Sequence, residues 1–190
     1  MQRSLWWIGV IVALGAGTAQ GMTCKGVSFP DQAQVEGSTL TLNGVGVRKA
    51  TMLKVSVFVA ALYVAKTSSN ANAILESTSP RQLVLQFVRD AGSGDITKGW
   101  NEGFARNAKE QLAALKDRIT ILNGWMGDMK TGQRLTFVFK PGVGVQVDVN
   151  GTAKGTIDGD DFAKAFLSIW LGAEPPNPEI KEGLLGGACG

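Results

Sequence analysis

The chain contains no histidine. That absence removes the side chain whose unperturbed charge change falls near neutral pH, the commonest metal ligand, and every nucleophile–imidazole pair. Hydrolase readings built on Ser/His or Cys/His fall with it. Cysteine is nearly as scarce, with Cys24 and Cys189 alone. A zinc site would need those two distant thiols plus carboxylates, without the closely spaced Cys or His pairs such sites show, so no metal and no cofactor is expected. Tyrosine occurs once, at Tyr63. The net charge is only +3, and the lysines and arginines are scattered, which argues against a nucleic-acid partner.

What is present begins with an address. Arg3 gives a short basic start, and Leu5 to Leu14 is an apolar run of signal-peptide length, too short to span a bilayer. Small residues follow at Gly15, Ala16, Gly17 and Ala19. Cleavage after Gly21, with Ala19 as the competing position, makes residues 1–21 a signal peptide and 22–190 the mature domain. The protein would then be periplasmic or secreted, with no transmembrane anchor after cleavage. A buried N-terminal helix is the competing reading, disfavoured because nothing before Met22 shows the two-faced pattern of a docked helix. Export also gives the cysteines a meaning: in an oxidising compartment, Cys24 and Cys189 read as a disulfide tying the two ends together. Closing so long a loop stabilises by about 4 to 5 kcal/mol on the chain-entropy model. Two free or intermolecular thiols are the alternative.

Hydrophobic periodicity then lays out the elements. Thr39 to Leu42 alternates as an early strand, and Gly44 and Gly46 loosen the backbone just before Arg48. Leu53 to Val64 is a nearly continuous apolar, valine-rich run, read as a central strand covered on both faces, with a buried helix as the competing assignment. Ala71 to Leu75 makes a short helix. Pro80 then precedes a strand, Gln82 to Val88, with Leu83, Leu85 and Phe87 on one face. From Asp95, the proposed cap, Ile96, Trp100, Phe104, Leu112 and Leu115 form one helical stripe, with Glu102 and Arg106 on other faces. Arg134 to Phe139 and Val143 to Val149 are strands joined at Pro141-Gly142. Asn150-Gly151 supplies a type I′ hairpin turn into Thr152 to Ile157. A last helix carries Phe162, Phe166, Ile169 and Trp170 on one stripe, capped by Asp158 or Asp160, before Pro175, Pro176 and Pro178 stop it. An apolar tail ends at Leu184 and Leu185. Hairpins in series with amphipathic helices give an α+β class, an antiparallel β-sheet with helices packed on one face.

The segment Asn43 to Arg48 (NGVGVR), the following Lys54 to Val64 (KVSVFVAALYV) and the later Asp158 to Gly172 (DGDDFAKAFLSIWLG) together resemble the chalcone isomerase-like family, in its histidine-free exported bacterial branch. The likeness runs over roughly Val27 to Leu185. It implies an open-faced sandwich with a ligand cleft between sheet and helices, a fold shared by plant isomerases and plastid fatty-acid-binding relatives. It also puts Arg48 at the family's functional arginine, which stabilises a phenolate in the isomerases and holds a carboxylate in the fatty-acid binders. Both uses rest on a guanidinium that stays charged and presents a planar fork of donors to an oxyanion. An arginine at a strand entrance reaching solvent is the competing reading of Arg48.

Departures from the isomerase pattern matter as much. Where the isomerases carry a threonine after the arginine, this chain has Val57, Phe58 and Val59, with Ser56 the nearby hydroxyl; where they carry a tyrosine at the start of the long helix, Gly94 to Trp100 has none. Tyr63 matches a different, structural tyrosine. The expectation is therefore a non-catalytic protein holding a small amphipathic anion, of fatty-acid or aromatic-acid type, next to Arg48, with Ser56, Phe58, Trp100 and Asn101 as further lining. Trp100 also fits the core stripe, and the Asp160 and Asp161 pair fits a helix start better than a catalytic dyad. Two alternatives stay open: an intramolecular lyase acting on an enone with Arg48 as oxyanion stabiliser, and an envelope scaffold whose cleft is closed by side chains.

Overall fold

The computed structural model describes residues 21–50 and 53–190. The leader reading of residues 1–21 lies outside these, Gly21 excepted. Two short strands, β1 (Met22–Cys24) and β2 (Val27–Phe29), form a hairpin of their own. The main sheet has seven antiparallel strands in sequential order: β3 (Gln32–Val35), β4 (Ser38–Ala50), β5 (Val55–Val64), β6 (Arg81–Phe87), β7 (Arg134–Lys140), β8 (Gly144–Val149) and β9 (Thr152–Asp158). Helix α1 (Ala71–Leu75) joins β5 to β6; α2 (Ser93–Asn107) and α3 (Leu112–Trp125) join β6 to β7. After β9 come α4 (Asp160–Leu171) and α5 (Pro178–Leu184). Among the described residues no helix is long and apolar enough to cross a membrane.

Strand alternation assigns the two faces. Phe58, Ala60 and Leu62 of β5, Leu83, Leu85 and Phe87 of β6, and Leu135, Phe137 and Phe139 of β7 point into one core with the helices. Val59, Ala61 and Tyr63 of β5 point the other way, into a smaller core with Val45 and Val47 of β4 and with Val27 and Phe29 of the β1–β2 hairpin. The β5 run is therefore covered on both faces. On the helix side Phe166 of α4 is the hub, its ring centroid 4.8 Å from that of Phe137 and 5.2 Å from that of Trp170. Each such fully buried side chain contributes about 1.5 to 3 kcal/mol of burial.

Several local expectations change. The strand starts at Val55, and Leu53 is 85% exposed. The stripe from Ile96 to Leu115 is broken at Ala108, where a turn of 3₁₀ helix (Lys109–Gln111) separates α2 from α3. The α2 cap is Gly92, with Asp95 in the first turn. The α4 cap is Gly159, at φ 103. Asp160 instead accepts from the Gly142 N–H, and Asp161 takes both Nη atoms of Arg118 at 2.7 and 2.6 Å. Residues 22–35, with no strand assigned from sequence, form β1 to β3 around Lys25-Gly26 and Glu36-Gly37 turns at positive φ. Pro178 opens a helix rather than only ending one, since an N1 proline lacks only an N–H the helix would not use.

Helix α5 explains the glycines. A Cβ on Gly44 would stand 2.1 Å from the Gly183 carbonyl oxygen, and one on Gly46 would stand 2.3 Å from that of Ile180. The α5 backbone lies directly on β4, held at one end by Asn177, whose Nδ2 donates to the Val47 carbonyl at 3.0 Å. At the other end Asn43 Nδ2 donates to the Leu184 carbonyl at 2.7 Å. Cys24 and Cys189 are joined in a disulfide with their Cα atoms 6.0 Å apart, tying the segment after α5 to the β1–β2 hairpin.

Candidate functional site

On β4, positions 44, 46 and 48 share the helix-side face, so the strand presents two glycines under α5 and then Arg48 just beyond the start of that helix. The β4–β5 register slips between Arg48, opposite Phe58, and Lys49, opposite Ser56. This bulge leaves Val57 without a partner of its own, and both Val57 and Phe58 border the space Arg48 enters. The opposite wall is α2. Asp95, Gly99, Glu102 and Arg106 fall at i, i+4, i+7 and i+11, a strip beside the core stripe of Ile96, Trp100 and Phe104. Together these elements enclose a cavity of about 120 Å³.

Its two ends differ. The inner end is buried and aromatic, made by Trp100, Trp170 and Phe87, which are 4%, 0% and 1% exposed, with Trp100 Nε1 buried and without a partner among the described residues. The outer end is ionic, with Arg48, Arg106, Glu102 and Asp95. Arg106 Nη1 lies 3.7 Å from Glu102 Oε2, a loose pair in which both side chains remain partly open to water. The half-buried Arg48 donates from Nη1 to the Lys49 carbonyl. Burial lowers its pKa from the ordinary guanidinium value, the Arg106 charge lowers it further, and Glu102 opposes both. The group nonetheless stays cationic at any relevant pH. Two guanidiniums facing one mouth repel each other, and an anion between them relieves that repulsion.

Arg48, Phe58 and Trp100 thus come together as the sequence reading required. Ser56 and Asn101 do not join them. Ser56 is turned away by the bulge and is absent from the lining. Asn101 is exposed between α2 and α3, where its Oδ1 accepts from Asn123 Nδ2 at 2.9 Å. Successive helix residues rotate by about 100°, so packing Trp100 inward sends its neighbour out. Arg106 was missed as a site residue; its spacing from Asp95, Gly99 and Glu102 is the signal that reveals it. Tyr63 lies on the opposite face of the sheet, its hydroxyl donating to the Pro30 carbonyl at 3.0 Å, with a pKa pushed up to about 12 chiefly by burial. Among the described residues, the lining holds no hydroxyl or thiol, and no group of three Cys, Asp or Glu side chains converges as metal ligands would.

The family model described as chalcone isomerase-like matches residues 21–186. The chain belongs to the chalcone isomerase-like family. Within solved structures, it is similar to the crystal structure of an Arabidopsis thaliana fatty-acid binding protein, with a TM-score of 0.63 and 17% identity, over 84% of this chain and 92% of that one. At that identity the likeness speaks for the fold: an antiparallel sheet with helices packed on one face. A search of curated proteins finds no match. In this chalcone isomerase-like chain Arg48 borders a cavity whose lining, among the described residues, holds no hydroxyl group.

Proposed function

We propose that this chalcone isomerase-like protein is an exported, non-catalytic binder of a small amphipathic anion, held with its charged end at Arg48 and its apolar body in the cavity behind. The observation that carries this reading is the division of one cavity into a charged mouth, where Arg48 and Arg106 stand with Glu102 and Asp95, and a buried aromatic floor. A guanidinium fork supplies charge-assisted hydrogen bonds to a carboxylate, and the aromatic walls supply apolar burial, which is the composition of a small-molecule site. The lack of a hydroxyl or imidazole in the described lining supports binding over turnover, because ring closure onto an enone needs positioned donors and a proton carrier besides one fixed cation. The fatty-acid binding role of the Arabidopsis protein of similar fold points the same way. Export is supported by the apolar leader run and by the disulfide, which reducing compartments disfavour.

The test is native mass spectrometry of the full chain expressed with its leader and recovered from the periplasm or medium. The wild type is expected to carry an acidic small molecule that the Arg48→Ala protein has lost, with both proteins folded. Retention of the ligand by Arg48→Ala, or turnover of a chalcone that disappears in that variant, would overturn the reading.

A further inference from the structure

Given a binding role at Arg48, we infer that the cavity selects compact monocarboxylates, short straight-chain or single-ring acids, over long-chain fatty acids, gripping the carboxylate between Arg48 and Arg106 at the mouth.

The direction of entry follows from where charge and water are. Arg106 and Glu102 keep 34% and 49% of their side-chain surface, while Trp170 and Phe87 at the far end have almost none. A carboxylate therefore sits at the outer end and its apolar body points inward, toward a floor of packed aromatic rings. Trp100 stands 5.4 Å from Trp170, centroid to centroid, and 6.2 Å from Phe137, so the floor is part of the core and not a continuing channel. With the head outside and the end closed, the volume limits chain length. An apolar cavity of about 150 Å³ is the size that takes benzene, and pockets for drug-sized ligands run to about 300 Å³ and beyond. The space here, about 120 Å³, accommodates a ring or a chain of comparable size.

The outward route gives a longer tail nothing. Past Arg48 and Pro176 lies a more open hollow bordered by Lys49, Lys54, Asn177 and Glu179, with both lysines within 4 Å of Glu179. Hydrocarbon laid there would displace water from charged groups without finding apolar partners. Gly99 tunes the capacity. It lies on the α2 wall, a Cβ there would meet nothing within 4 Å, and its missing side chain is part of the open volume.

Isothermal titration calorimetry of the full chain with butyrate, hexanoate, octanoate, decanoate and dodecanoate, below their micelle concentrations, reads this directly. Each added methylene that enters the cavity is expected to tighten Kd by about fourfold. That gain should stop near the chain length that fills the cavity, at about six carbons, five in the tail and one in the carboxylate, on the benzene comparison. Benzoate should bind in the range of the best short acids. Arg106→Ala should weaken hexanoate by about tenfold, as expected for one lost charge-assisted contact, with the methylene increment unchanged. Gly99→Leu, whose Cβ has nothing within 4 Å and which removes a helix-weakening glycine, should stay folded and move the break to shorter acids. Steady tightening through dodecanoate, or a profile unmoved by Gly99→Leu, overturns the size limit and leaves anion binding standing. An Arg106→Ala protein that binds as the wild type does removes the second cation from the grip. No binding across the whole series, benzoate included, overturns the proposed function itself.

Discussion

At one end of β6, Arg81 is 5% exposed beneath α1; its Nη1 donates to the carbonyls of Ile74 and Leu75 at 2.8 and 3.1 Å, and its guanidinium carbon stands 5.8 Å from the centroid of Phe139. At the other end, beside Phe87, Arg48 is half-buried and reaches a cavity whose opposite wall carries another arginine. Burial is the first cause lowering the pKa of both. After burial the surroundings diverge: Asp160 and Glu76 compensate Arg81, whereas Arg106 opposes Arg48. Arg81 satisfies backbone acceptors that the end of a short helix leaves unpaired. Among the described residues the Arg48 fork donates once, from Nη1 to the Lys49 carbonyl. Burial and a shifted pKa are thus common to both cations, and what separates them is where Nη1 and its neighbours point: Arg81 holds helix-end carbonyls although its Nε stays buried without a partner, whereas Arg48 reaches the cavity.

The comparison is broken or sharpened first by paired alanine variants. Arg81→Ala takes the side-chain donor from the buried Leu75 carbonyl and leaves the Ile74 carbonyl only backbone donors such as the Ser77 N–H, and should lower the unfolding free energy by about 2 to 3 kcal/mol in urea denaturation. Arg48→Ala should change it by about 0.5 kcal/mol or less, the scale of a surface substitution. Equal losses would erase the distinction. The second test sits at the Arg48 end but away from the charge. Gly46→Ala pushes a methyl group into the Ile180 carbonyl and should cost about 1 to 3 kcal/mol, the range for overpacking. It should also raise protease susceptibility after residue 176, locating the structural work of this end in α5.

The smallest effect is titratable. Glu179, at the start of α5, has its pKa lowered from 4.5 to about 2, first by its own backbone N–H, then by Asn177, and further by Lys49 and Lys54. Because the folded value is the depressed one, the ionised carboxylate's contribution is complete above about pH 4.5 and is lost as pH falls from there toward about 2. Stability profiles of the wild type and Glu179→Gln should diverge above that window and converge below it. Coincident profiles would show that α5 is held without this carboxylate.

The architecture was largely legible in the sequence because period-two alternation in β6 to β8 and the Asn150-Gly151 turn into β9 are local signals. Lys25-Gly26 and Glu36-Gly37 make turns of the same handedness without the Asn or Asp that advertises one, so β1 to β3 were read as a tail. The break at Ala108 was hidden because a 3₁₀ turn carries the apolar stripe on into α3. At the site, Arg48 and Phe58 came from the family resemblance, and the structure puts both on the cavity, whereas Ser56 lies opposite Lys49 across a bulge that only pairing can reveal. Gly44 and Gly46 were visible as a loosened backbone before Arg48, but what they admit is the α5 backbone, a segment 130 or more residues away that no local pattern could name.

The bond between Cys24 and Cys189 makes the chain between them a covalent ring. Tension applied between residues 22 and 190 passes through two short leaders and one sulfur–sulfur link, and the hydrogen bonds of β3 to β9 carry none of it. Once that link is reduced, the same pull would fall on the two ends themselves, on α5 where it lies over its two glycines and on the three-residue β1 paired to β2.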